Sequence, residues 1–185
     1  ATTSALIWQH CTPIFVDIED KTLCIDADKI EEAITENTSA ILATHVYGYP
    51  CNVKKIEEIA KKNDLKVIYD GAHAFGVKLN GQSILNYGDV TTLSFHATKL
   101  FHTIEGGALV CNTKDLTEKV SLMKKFGHIG EEKYLEVGIN AKMSEVHAAM
   151  GLCVLPKVNE IIANRRAISE RYYDLLKGCG LFLPQ

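Results

Sequence analysis

Short apolar runs alternate with amphipathic helical segments along this chain, and that alternation limits its fold more than any other feature. Ala40-Ile41-Leu42-Ala43-Thr44, Leu65-Lys66-Val67-Ile68-Tyr69-Asp70 and Val90 to Phe95 have the length and β-branched content of buried strands. Between the first two, Asn52 stands as an N-cap before Val53, Ile56, Ile59 and Ala60, which share one helical stripe. Lys54, Lys55, Lys61 and Lys62 form the solvated face of that helix. Strands separated by helices predict an α/β domain with a mostly parallel central sheet flanked by helices. In such sheets ligands gather at the carboxyl ends of the strands. Asp70 and Ser94 fall at two of those ends.

The remaining elements fit around this frame. Ala1 to His10 is expected to be helical, and Pro13 to Ile18 is expected to be a strand, with Asp26 or Asp28 capping a helix from Lys29 to Thr35. Asn80-Gly81 between Val77 and Ile84 signals a hairpin turn. Gly107 to Cys111 follows the Val90–Phe95 run so closely that an antiparallel pairing is expected. Leu116, Val120 and Met123 mark a helix. Ala141 to about Lys177 is helical with a break at Pro156, and Tyr172, Leu175 and Leu176 are expected to be packing residues. No long linker divides the 185 residues, so one domain over 1–185 is expected. The first residue is not Met and both ends are abrupt, which suggests a piece of a longer polypeptide.

Composition narrows the function classes. A net charge of -3 offers no electrostatic reason to bind nucleic acid or an anionic membrane. No apolar run is expected to reach membrane-spanning length, and no basic n-region marks a signal peptide, so a cytoplasmic protein is expected. The six cysteines lack any C-x-x-C spacing and are expected to be reduced, mostly buried thiols, with no metal site. A nucleotide-binding Rossmann enzyme would need a Gly-x-Gly-x-x-Gly turn after a strand, and the sequence has none.

The chemistry concentrates in Ser94-Phe95-His96-Ala97-Thr98-Lys99, followed by Glu105-Gly106-Gly107-Ala108. A lysine in a loop is ordinarily a surface residue. An amine beside an acid at a strand end, however, is what pyridoxal phosphate asks of a protein. Four further motifs stand in order with these: Phe15-Val16-Asp17-Ile18, His45-x-Tyr47-Gly48-x-Pro50, Asp70-Gly71-Ala72-His73-Ala74-Phe75-Gly76, and Gly138-Ile139-Asn140-Ala141-Lys142-Met143-Ser144-Glu145. In all six the chain resembles the DegT/DnrJ/EryC1/StrS family of pyridoxal-phosphate-dependent sugar aminotransferases, whose fold is the fold type I large domain.

The resemblance implies pyridoxal 5'-phosphate as cofactor, with Lys99 as the Schiff-base lysine and Asp70 as partner of the ring nitrogen. It implies that His73 stands where many relatives place a Gln against the ring hydroxyl. Ser94 resembles the phosphate ligand, and Asn140 the asparagine that reaches the phosphate of a neighbouring subunit, which implies a homodimer. His96 and His102 either meet the sugar or its phosphates or are structural. The implied reaction moves an amino group from glutamate to the keto group of a nucleotide-linked deoxy sugar, with the 4-keto form favoured over the 3-keto form. Two alternatives remain inside the family, a dehydratase and a truncated non-catalytic protein. Family dehydratases replace the lysine by histidine, so Lys99 argues against the first. The phosphate-cradling Gly-Thr turn, the ring-stacking aromatic residue and the small C-terminal domain of relatives are absent from these residues, so the chain is expected to be the core of the large domain.

Overall fold

A computed structural model describes residues 1–183. The chain opens with helix α1 (Thr2–Trp8), and two single 3₁₀ turns follow at Ala27–Lys29 and Glu31–Ala33. Strand β1 (Ala40–Thr44), helix α2 (Val53–Lys62) and strand β2 (Lys66–Asp70) form the first crossover unit. The short hairpin β3 (Lys78–Leu79) and β4 (Gln82–Ser83) leads to β5 (Val90–Ser94), and β6 (Gly107–Cys111) returns beside it. Helix α3 (Lys114–Met123), the hairpin β7 (His128–Ile129) and β8 (Lys133–Tyr134), and helices α4 (Glu145–Val154) and α5 (Val158–Leu176) complete it.

The main sheet runs β1-β2-β5-β6, with β1, β2 and β5 parallel and β6 antiparallel, as the sequence pattern implied. Register places Thr44 beside Asp70 and Asp70 beside Thr92, so the carboxyl ends of three strands line up. Val53, Ile56, Ile59 and Ala60 of α2 pack on Ile41, Ala43, Val67 and Tyr69 to make the core. Asn52 accepts the amide of Lys55 and starts that helix. Asn80 and Gly81 both take positive φ, at 51° and 83°, which makes the β3–β4 turn the kind an Asn-Gly pair favours.

Several expectations fail for identifiable reasons. Pro13–Ile18 forms no strand: apart from the single bridge from Ile18 to Ile25 it finds no ladder, and Ile14 and Phe15 stay exposed. β-propensity describes fit to a paired, half-buried surface, and that surface is missing here. The Lys29–Thr35 helix is replaced by the two 3₁₀ turns, because the stretch is too short to repay α-helix nucleation. Asp26, not Asp28, is the cap, accepting the Asp28 amide. Lys55 and Lys62 reach beyond a solvated face, pairing with Asp28 and Glu31 and tying α2 to those turns. Cys24 and Cys51 are buried, but Cys11, Cys153 and Cys179 are exposed, so the thiols are free yet not mostly buried. Tyr172 and Leu175 are exposed and so do not pack within the chain. The helical run from Glu145 to Leu176 is, by length and composition alone, apolar enough to cross a bilayer, against the expectation of no such run. A 3₁₀ turn containing Pro156 interrupts it, and Gly151 of α4 lies against Thr103 and Phe101.

Ile56 is fully buried at the centre of the α2–sheet contact, whereas Lys61 is exposed. Ile56→Ala should cost about 2–5 kcal/mol in a urea unfolding experiment. Lys61→Ala should stay within about 0.5 kcal/mol of the parent.

Candidate active site

Asp70 sits where β2 ends. Gly71 follows, and its amide donates to the carbonyl of Thr92 at 2.9 Å. A Cβ at position 71 would lie 2.8 Å from the Thr91 methyl and 2.9 Å from the Thr92 carbonyl, so only glycine lets the chain leave the sheet this closely. The carboxylate is held from both sides. Its Oδ1 accepts the Ala72 amide at 3.0 Å, and its Oδ2 accepts the Thr2 hydroxyl at 2.5 Å. The Asp70 carbonyl accepts the amide of His45, fastening the loop after β1 to the end of β2.

That loop carries Tyr47 in a left-handed conformation, φ 53°, with its ring parallel to His73 at 6.0 Å. His73 is exposed, and among the described residues neither of its ring nitrogens is hydrogen-bonded. Left-handed backbone at a bulky residue costs energy and clusters at functional loops.

The lysine loop hangs between β5 and β6. Phe95 donates to the Gly106 carbonyl and accepts from the Thr103 amide, closing the loop at its base. Phe75, Phe95 and Phe101 support it from below, with Phe75 and Phe101 stacked at 4.5 Å and Phe95 edge-on to both. At its tip the Lys99 amide donates to the His96 carbonyl. Lys99 is half-buried, and among the described residues its amine is in no ion pair. The Ser94 hydroxyl oxygen accepts the His96 amide at 3.4 Å, which leaves its hydrogen available to a ligand.

His96 and His102 both accept amides inside this loop. Nδ1 of His96 accepts from the Thr98 amide at 3.3 Å and pairs with the Thr98 hydroxyl at 2.8 Å. An amide can only donate, so the ring proton resides on Nε2, which faces Glu105 at 3.7 Å. His102 Nδ1 accepts the Ile104 amide at 3.4 Å. These bonds favour the structural reading of the two histidines, although neither is fully buried.

Asp70, His73, Ser94 and Lys99 thus occupy the ends of adjacent strands and the loops that follow them. Asn140 comes from a separate segment, beyond β6 and α3. It is exposed, its backbone bridges Lys125, and no hydrogen bond joins its side chain to those four residues.

Sequence reasoning missed three contributors. Thr2 carried no motif signal. The aromatic cluster beneath the lysine loop joins residues from two loops, a contact no local pattern reveals. His45 was visible in the His-x-Tyr-Gly motif but had no role. It is completely buried, stacked on Tyr69 at 4.6 Å, with Nδ1 accepting the Cys51 amide at 3.1 Å. Its proton therefore lies on Nε2, which finds no partner among the described residues. Burial pushes its pKa down to about 4, partly opposed by the charge of Asp70. Tyr69, buried beside it, is pushed up by the same loss of solvent.

Comparison with known proteins shows the family. The family profile described as the DegT/DnrJ/EryC1/StrS aminotransferase family matches residues 1–185. The chain is 48% identical over 187 aligned residues to the dTDP-4-amino-4,6-dideoxy-D-glucose transaminase of Shigella dysenteriae, covering 100% of this chain and 51% of that protein. It resembles the crystal structure of DesI in the presence of its TDP-sugar product, with TM-score 0.88 and 36% identity over 95% of this chain and 45% of that one. It also resembles NtdA from Bacillus subtilis with bound cofactor PMP, with TM-score 0.89 and 33% identity over 100% of this chain and 43% of that one. The chain spans about half the length of the curated relatives it matches.

The folded state holds His45 neutral down to about pH 4, whereas the unfolded chain protonates it near 6.5. Between those values the unfolded state binds more protons, so stability falls as pH falls and levels off below about 4. The shift corresponds to about 3 kcal/mol at most. Measured against His45→Asn, whose side-chain oxygen can still accept the Cys51 amide, the parent should lose that much more stability between pH 7 and 4. Parallel stability curves for the two would refute the assignment. The profile match over the whole chain and the fold shared with solved aminotransferases together show that this chain belongs to the DegT/DnrJ/EryC1/StrS aminotransferase family.

Proposed function

We propose that this chain forms the core of the large domain of a pyridoxal-phosphate-dependent sugar aminotransferase. The observation that carries the reading is the placement of Asp70 at the end of β2 and of Lys99 in the loop after the adjacent parallel strand β5, an acid and an amine at the same end of the sheet. The donor set fits the cofactor. Asp70 offers a carboxylate fixed by two donors, Ser94 a hydroxyl with a free hydrogen, and Lys99 an amine outside any ion pair.

In this reading Asp70 faces the ring nitrogen, His73 the ring hydroxyl and Ser94 the phosphate, while Lys99 supplies the covalent link. Bound there, pyridoxal phosphate supplies an electron sink and carries the amino group between two half-reactions. The Asp70 carboxylate keeps the ring nitrogen protonated through its negative charge. The Lys99 amine, once released, moves the proton at the substrate carbon that gains or loses nitrogen. The Phe75–Phe95–Phe101 cluster fixes the loop that aims this amine. The Tyr47–His73 stack joins the loops that follow β1 and β2.

Glutamate is the proposed donor, and the proposed acceptor is a nucleotide-linked deoxy sugar, with amination at C4 favoured over C3. The likeness to the Shigella transaminase supports the 4-amino preference. We further propose a cytoplasmic homodimer in which Asn140 serves the neighbour's phosphate. Its side chain is exposed, as a residue serving a neighbour would be.

Borohydride reduction of the cofactor-loaded full-length protein should tag the peptide containing Lys99, and a tag on another lysine would sink the assignment. Asp70→Asn loses a charge-assisted bond worth roughly 1.5–3 kcal/mol. The half-reaction with glutamate should slow far more than cofactor retention falls. An unchanged half-reaction rate would remove Asp70 from its role.

For Asn140, full-length Lys99→Ala and Asn140→Ala, each nearly inactive alone, are unfolded and refolded together. Action in trans gives mixed dimers one site with both lesions and one with neither, so activity reappears. Flat activity with mixed dimers present would place Asn140 in cis.

A further inference from the structure

Thr2 is the only side chain that donates to Asp70 among the described residues. Its hydroxyl lies 2.5 Å from Oδ2, at the short end of the range for a hydroxyl on an ionised carboxylate, and the two residues are 68 positions apart. A carboxylate accepts only, so the threonine is the donor. The bond is not a by-product of core packing, because α1 buries none of its residues. The backbone amide of Ala72 already takes Oδ1. With one donor per oxygen the carboxylate plane is fixed, and each oxygen keeps a further acceptor site.

We propose that Thr2 is a positioning residue: its hydroxyl holds the Asp70 carboxylate in the orientation that receives the protonated ring nitrogen of pyridoxal phosphate. The assignment rests on the functional reading above. Without Thr2, Oδ2 loses its fixed donor and the carboxylate turns about its χ2 bond on the Ala72 contact alone. The acid keeps its charge but no longer its aim. A group that must point at a ring atom loses more from such freedom than from a small change in packing.

The test compares the full-length parent with Thr2→Val and Thr2→Ser. Each protein is stripped of cofactor and titrated with pyridoxal phosphate while the absorbance of the bound cofactor is followed, first at fixed pH and then across a pH series. Thr2→Val, equal in shape but without a donor, should bind about tenfold more weakly. It should also move the pH at which the bound cofactor's absorption band changes. Thr2→Ser, which keeps the hydroxyl, should stay within about twofold of the parent in affinity and reproduce its pH series. The cofactor-free forms should melt together. If Thr2→Val lowers the melting temperature of the cofactor-free form but leaves affinity and band unmoved, the residue is structural and the proposal is overturned. Equal behaviour of all three proteins overturns it too. A parent protein that takes up no pyridoxal phosphate would sink the functional reading, and this one with it, before any variant is made.

Discussion

The site depends on the register of three parallel strands. Thr44, Asp70 and Thr92 lie side by side at the carboxyl ends of β1, β2 and β5. A slip of one residue in β2 would turn Val67 and Tyr69 out of the core and Asp70 to the opposite face. The hydrophobic alternation that buries Val67 and Tyr69 therefore also aims the acid. The stability of the core and the placement of the chemistry are one constraint, and the Ile56–sheet contact of α2 stands behind both.

Around that register the loops are fastened both to the strand ends and to one another. The His45 amide holds the Asp70 carbonyl, and the Gly71 amide holds the Thr92 carbonyl. The Phe75 ring from the loop after β2 stacks on Phe101 of the lysine loop. Three loops thus form a single layer above the strand ends. Its strained members, Tyr47 at φ 53° and Ile104 at φ 69°, both lie in it. Such conformations persist only where the surroundings over-determine them, and the cross-loop bonds provide that here. His45 adds a second cost, a neutral buried ring whose Nε2 proton has no partner among the described residues. It is tolerated because the ring's flat face fills the space against Tyr69.

The parts legible in the sequence were those with strong local signals. The βαβ frame followed from apolar periodicity, α2 from its cap and stripe, and the hairpin from Asn80-Gly81. The strand-end positions of Asp70 and Ser94 were legible from the apolar runs that precede them, and Lys99 from a short motif. Pro13–Ile18 was misread because its composition suits a strand while strand formation requires a neighbour. The 3₁₀ turns near Ala27–Ala33 were misread because helix nucleation depends on length, which periodicity does not weigh. Thr2, His45 and the phenylalanine cluster act across long sequence separations, where single-sequence patterns carry no information. Tyr172 and Leu175 show the converse limit: a packing pattern says that a face will be covered, not by what.

One asymmetry in the site follows from chain geometry. The acid, the amine and their supports come from three loops joined by two short crossovers, so one chain can bring them together. Asn140 lies beyond β6 and α3, on a hairpin excursion whose backbone is occupied by Lys125 and Phe126. The Ile139 amide and carbonyl are both committed to that excursion, to Met123 and Phe126 respectively. A Cβ at Gly138 would lie 2.4 Å from the Met123 carbonyl, so the base of the excursion is closely packed. The excursion is thereby held as a fixed unit. Under the proposed homodimer, ring chemistry would be local to a chain and phosphate binding would be shared between two.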